Sequence, residues 1–173
     1  MKWMLIIVIF LVYGCSTQDG DEKSRGSESP NPAVALIDEA GFSSLVVNRN
    51  GKILLINIWA TWCAPCREEF PDLVKIANAY HDRNVEVVGI SADFPDEIDS
   101  KVKPFLKSQH ATFQNYVKNF EDDEAFINSV NPEWSGALPA TFVYDADGIL
   151  QDSYFGQNDI AGFQMMIEQI ASD

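Results

Sequence analysis

Two cysteines, Cys63 and Cys66, stand two residues apart in the stretch 59–71, Trp-Ala-Thr-Trp-Cys-Ala-Pro-Cys-Arg-Glu-Glu-Phe-Pro. At this spacing two thiols can close and reopen a disulfide, a two-electron couple held in one short loop. Ahead of the pair, residues 53–58 (Ile-Leu-Leu-Ile-Asn-Ile) have the length and composition of a buried strand. On the other side, Phe70, Leu73, Val74, Ala77 and Tyr80 recur at three- and four-residue steps, which predicts a helix over 64–81. The pair therefore sits where a central strand gives way to a helix. The unpaired N–H groups and positive dipole end of a helix N-terminus favour an anion, so the outer thiol can ionise near neutral pH. That assigns Cys63 as the thiolate that attacks a substrate disulfide, and Cys66, one turn behind, as the thiol that resolves the mixed disulfide. Ala64 and Pro65 shape the loop between them and hence its redox poise.

This stretch resembles the thioredoxin superfamily, and Trp-Cys-x-Pro-Cys followed by Arg67-Glu68-Glu69-Phe70-Pro71 resembles its TlpA/ResA branch of membrane-tethered thiol–disulfide oxidoreductases. The resemblance implies an α/β thioredoxin fold, a central mixed β-sheet flanked by helices, with an extra strand–helix insertion before a cis-proline. Pro139 stands for that proline, and Leu138 and Ala140 beside it would offer backbone groups to an extended substrate segment. Trp59 and Trp62 flank the cysteines and read either as an apolar docking face or as core packing. Trp134, in the stretch 131–136, is a candidate lining residue of the substrate groove. Plain thioredoxin has a buried aspartate where this chain has Asn57, so the usual proton acceptor for the second cysteine is missing. The TlpA/ResA branch places a glutamate where Glu69 stands. Glu69 is therefore either the replacement acid/base group or an ordinary helix-surface residue.

In chain order, residues 38–47 could form a first helix with Phe42, Leu45 and Val46 inward, and Asn50-Gly51 is a turn signal. Pro71 lies inside the redox helix, where it removes one backbone bond and predicts a kink. Residues 85–90 read as a second buried strand, giving a right-handed parallel crossover. Residues 95–109 read as one helix with Ile98, Val102, Phe105 and Leu106 as its stripe. A short strand at 112–117 and a short helix at 122–130 match the insertion of the TlpA/ResA branch. The acidic run 121–124 complements the start of that helix more readily than it holds a cation. Runs at 138–144 and 149–155 flank an Asp-Gly corner, a hairpin signal. Residues 160–170 close the chain as an amphipathic helix.

The ends bear on location. Lys2 precedes an eleven-residue apolar run, 3–13, shorter than the roughly twenty residues a membrane-spanning helix needs. A basic residue, an apolar core and a small residue before the cut describe an export signal. Val12-Tyr13-Gly14-Cys15 resembles a bacterial lipobox, which implies a signal peptide at 1–14 and a lipidated Cys15. The other reading is an ordinary signal peptide with an incidental cysteine. Residues 16–32 hold no large apolar side chain, so 15–32 reads as a lipidated cysteine and flexible tether ahead of a domain at 33–173. Export would place the domain in the bacterial cell envelope, facing the periplasm or extracytoplasmic space.

Composition narrows the function further. The formal net charge of −14 argues against nucleic acid, which demands a basic face. Apart from Cys15 there are only Cys63 and Cys66, so the sole disulfide open to the domain is the one in the motif. Zinc needs four ligands in recognisable spacing, and His81 and His110, 29 apart, fit no finger pattern, so no metal is expected. A peroxidase of the peroxiredoxin type needs Thr or Ser three residues before its cysteine and Pro seven before; these positions hold Ala60 and Ile56. No flavin or nicotinamide motif is present, so no cofactor is expected and re-reduction would need a membrane electron donor. The expected function is a lipid-tethered reductase of disulfides in exported proteins, with apocytochrome c one candidate substrate by family resemblance. The alternative is a disulfide donor or a non-catalytic tethered binding module on the same fold.

Overall fold

The structure, a computed structural model, describes residues 34–172. The leader 1–14, Cys15 and the tether to residue 32 lie outside the described residues. The apolar run ahead of the cysteines forms β2 (Ile53–Trp59), buried from Leu54 onward, as a strand covered on both faces should be. β3 (Val85–Ser91) lies parallel to it, with Ile53 beside Val85 and Trp59 beside Ser91. On the other side β5 (Ala140–Tyr144) runs antiparallel, Asn57 facing Thr141. β4 (Gln114–Lys118) extends the parallel half beyond β3, and β1 (Val34–Ile37) pairs parallel with β4. β6 (Leu150–Phe155) completes the antiparallel half through the Asp145–Gly148 corner. The sheet order is β1-β4-β3-β2-β5-β6, the mixed α/β sheet expected from the sequence.

Alternate residues of a strand face opposite sides, so β2 feeds two cores. Leu54, Ile56 and Ile58 join Phe42 of α1 (Glu39–Val47) and Phe126 of α4 (Asp123–Val130). Leu55 and Trp59 join residues of α2 (Ala64–Tyr80), α3 (Lys103–Ser108) and α5 (Ile160–Ala171), among them Phe70, Leu106 and Phe163. On this second face a polar row crosses the sheet: Thr141, Asn57, Gly89 and Asn115 stand in register on β5, β2, β3 and β4. The helices begin where side chains can cap them. Asp38, Asp122 and Asp159 accept hydrogen bonds from the backbone N–H groups of Gly41, Ala125 and Gly162, contacts that contribute about 1 kcal/mol each. The acidic run 121–124 thus serves the start of α4.

One expectation is corrected. Residues 95–109 are not one helix: a 3-10 turn (Pro95–Glu97) and a π turn (Ile98–Val102) precede α3. Pro104 has no N–H to give the Ser100 carbonyl and its ring would crowd that oxygen, so the turn ahead widens and the Lys103 N–H bonds to Ile98 instead. Val102 and Leu106 remain buried across the break. The strand β1 was not foreseen, since four residues with Ala35 and Leu36 exposed carry no legible period. Among the described residues no helix is long and apolar enough to cross a membrane.

Candidate active site

Cys63 is the N-cap of α2: its backbone is extended and its sulfur accepts a hydrogen bond from the Cys66 N–H at 3.3 Å. Ala64 and Pro65 fill the first two helical positions, where a proline removes no intrahelical bond. The two sulfurs are joined in a disulfide, with Cα atoms 5.3 Å apart. Of the pair only Cys63 reaches solvent, 6% exposed against 0% for Cys66. Attack from outside is therefore open to one sulfur alone, and a thiolate there would keep the N–H contact from Cys66 as well as the helix dipole.

Glu69, one turn beyond Cys66, is not a surface residue. It is 1% exposed, and this corrects the second reading of that position. Its Oε1 accepts from Asn57 Nδ2 at 2.8 Å and its Oε2 from the Asn158 backbone N–H at 2.7 Å. Burial pushes the carboxyl up to about 7, against the two hydrogen bonds, which pull it down. A group that is half ionised near neutral pH can both take and return a proton. Asn57, which looked like the loss of an acid, is the side chain that orients one. Its Nδ2 also reaches Thr141 Oγ1 at 3.2 Å, while its buried Oδ1 has no hydrogen-bond partner.

The Leu138–Pro139 peptide bond is cis, and the Pro139 carbonyl accepts the Gly156 N–H at 2.9 Å. Leu138 packs against the core cluster that contains both cysteines. It also lines a groove of about 240 Å³ together with Trp62, Phe94, Lys118 and Trp134. Trp62 is 61% exposed and presents an apolar face beside the cysteines, whereas Trp134 is buried except where it meets the groove. Two candidate docking residues do not belong there. Trp59 is fully buried, its ring packed edge-on to Phe70 and tilted against Phe105, so it is core. Ala140 is fully buried and lies in the sheet interior between Ile58 of β2 and Phe155 of β6, so its backbone is not open to another strand.

The sequence does not single out Asp93, Thr61, Phe94 or Asn158, all of which belong to this site. Asp93 is 0% exposed and lies just past the end of β3. Its carboxylate accepts from the Thr61 N–H (2.9 Å), the Thr61 hydroxyl (2.5 Å) and the Ser91 hydroxyl (2.5 Å). The signal available was an acidic residue two positions past a buried strand, at the end of the sheet where the cysteines sit.

The AhpC/TSA family matches residues 28–153. Thiol:disulfide interchange protein DsbE of Pseudomonas fluorescens biotype C is 33% identical over 153 residues, covering 88% of this chain and 79% of that one. Thiol-disulfide oxidoreductase ResA of Bacillus thuringiensis (strain Al Hakam) is 28% identical over 148 residues, 86% of this chain and 79% of that one. Among solved structures, a thiol:disulfide interchange protein of the thioredoxin family from Chlorobium tepidum TLS superimposes with a TM-score of 0.59 at 28% identity, over 71% of this chain and 82% of that one.

Proposed function

The chain belongs to the AhpC/TSA family, is of the TlpA/ResA type within the thioredoxin superfamily and is a thiol–disulfide oxidoreductase; from this we propose that it reduces disulfides of exported proteins through Cys63 and Cys66. The observation that carries this reading is the asymmetry of the pair: one sulfur is accessible at a helix N-terminus, the other is sealed, and a buried acid sits one turn further along. In the reduced protein the Cys63 thiolate attacks one sulfur of the substrate disulfide and expels the other as a thiolate. Glu69 takes the Cys66 proton, and the Cys66 thiolate then attacks the Cys63 sulfur. The second substrate thiolate leaves and is protonated. Two electrons pass from the protein dithiol to the substrate, and the protein is left with the Cys63–Cys66 disulfide seen in the structure.

The substrate segment lies along the groove between Trp62 and Leu138. Apocytochrome c is one candidate, by family resemblance. Lipidation of Cys15 tethers the domain to the outer face of a membrane of the cell envelope, where a membrane electron donor returns the dithiol. Cys15→Ser should move the protein from the membrane to the soluble fraction, and a variant that stays membrane-bound after a salt wash refutes the anchor. For the chemistry, Cys66→Ser should accumulate mixed disulfides on non-reducing gels and Cys63→Ser few or none. Equal trapping by both would erase the assigned roles. The direction of electron flow is read from the potential of the couple: near about −270 mV it is a reductant, near about −120 mV an oxidant.

A further inference from the structure

We propose that Asp93 is a positioning residue of the redox site: its buried carboxylate fixes Thr61 and thereby holds Trp62 and Phe94, the two exposed aromatic side chains of the docking groove, in place beside Cys63. This rests on the oxidoreductase reading given above. Thr61 is held on every polar atom it has. Its N–H and hydroxyl donate to the two oxygens of Asp93, and its carbonyl accepts from Arg67 Nη1 at 3.0 Å. Asp93 is in turn fixed by Ser91, whose hydroxyl donates to Oδ2 and accepts from the Asp93 N–H at 3.0 Å. The Ala92 N–H donates to the Trp59 carbonyl at 2.7 Å, so the end of β3 and the end of β2 are tied directly. An acidic side chain withdrawn wholly from water is costly unless its oxygens are bonded, and here three hydrogen bonds bond both of them.

What the carboxylate joins is specific. Trp62 follows Thr61 and Phe94 follows Asp93, and both aromatic side chains are more than half exposed and line the same groove. Exposed aromatic side chains on loops keep their positions only if the backbone beneath them is fixed. Beyond the Ala92–Trp59 bond, the carboxylate carries this tie out to the two residues that precede the aromatic side chains. Docking of a polypeptide substrate depends on these walls, whereas a small disulfide that needs only the accessible sulfur does not.

The test compares Asp93→Asn, Thr61→Val and Thr61→Ser with the wild-type protein. Asparagine keeps the shape of Asp93 but removes its charge and one of its two acceptor oxygens, so all three bonds lose their charge assistance and one persists only if a hydroxyl turns round to accept. Valine removes the Thr61 hydroxyl without changing its outline, and serine keeps it. Each reduced protein is assayed with an unfolded protein disulfide, reduced insulin-style in a stopped-flow or turbidity assay, and with a small aromatic disulfide. For the protein disulfide, Asp93→Asn and Thr61→Val should lower kcat/KM roughly ten- to hundredfold, chiefly through KM, as expected when a site is loosened rather than deprived of its nucleophile. The small disulfide should react within about twofold of wild type, and Thr61→Ser should restore the protein-disulfide rate. Wild-type rates in both variants, or an equal loss on both substrates, overturns the positioning role. If Asp93→Asn fails to fold, the Thr61 pair decides the matter alone. A wild-type protein that reduces neither substrate refutes the oxidoreductase reading instead, which keeps the two failures apart.

Discussion

At Glu69 the surrounding apolar packing, not a charged partner, sets the chemistry. Burial holds the carboxyl at about 7, above the ordinary 4.5. Between those two values the folded protein binds a proton that the unfolded chain has released, so stability falls as pH rises through that window and levels off above it. The rise from 4.5 to about 7 corresponds to about 3 kcal/mol lost between pH 4.5 and alkaline pH. Glu69→Gln removes the titration. Chemical unfolding at pH 5 and pH 8 should show wild type losing stability relative to the variant by that order, and parallel curves would place the carboxyl in water. The same substitution should slow release of the mixed disulfide by about a hundredfold and flatten the pH profile of turnover near neutrality, read by single-turnover kinetics. Asn57 suits either state of its neighbour. Its Nδ2 donates to the carboxylate, and a half-turn of the amide would present the unpaired Oδ1 to a carboxylic acid or to glutamine. An aspartate at 57 could not serve the ionised form.

At the scale of elements, what could be read from the sequence was what has a period. β2, α2, β3 and α5 follow from apolar runs and from three- and four-residue spacing, and the strand-to-helix junction at Cys63 follows with them. β1 is too short to show alternation, and the break in 95–109 comes from Pro104, one residue inside an otherwise regular stripe. The site was legible in part for a similar reason. Spacing puts Glu69 one turn from Cys66, but spacing cannot say that the loop before α5 covers it, because Asn158 lies 89 residues away. Asp93 and Thr61 are joined across 32 residues by hydrogen bonds that leave no pattern in either segment. Close packing between elements makes its own prediction at Gly89. A Cβ there would fall on Asn115 Oδ1 and within 2.9 Å of Trp59 Nε1. Gly89→Ala should therefore cost about 1–3 kcal/mol as overpacking, measured by urea unfolding, even though glycine inside a strand is normally the weaker choice. A variant as stable as wild type would mean that the two side chains move aside freely.

For the whole molecule, charge governs encounter. A net charge of −14 produces an attractive field for cationic chains and a repulsive one for anionic chains, damped over about 8 Å at physiological ionic strength. Reduction of a lysine-rich disulfide peptide should slow as salt is raised, and that of a glutamate-rich peptide should quicken. Salt-independent rates for both would show that encounter is controlled by the groove alone. The sheet that carries the site has a property of another kind. Four of its six strands run parallel and are paired across long stretches of sequence, an arrangement that forms slowly and offers many near-equivalent staggers of one apolar strand against another. The row of Thr141, Asn57, Gly89 and Asn115 removes that equivalence. Slide β2 by one residue and the Asn57 amide turns into the opposite core, away from Glu69 and Thr141; slide β3 by two and Val87 or Ser91 meets Asn115 and the Trp59 indole where only glycine fits. The polar row that orients the acid thus also acts as an alignment key, one that a misassembled sheet cannot turn.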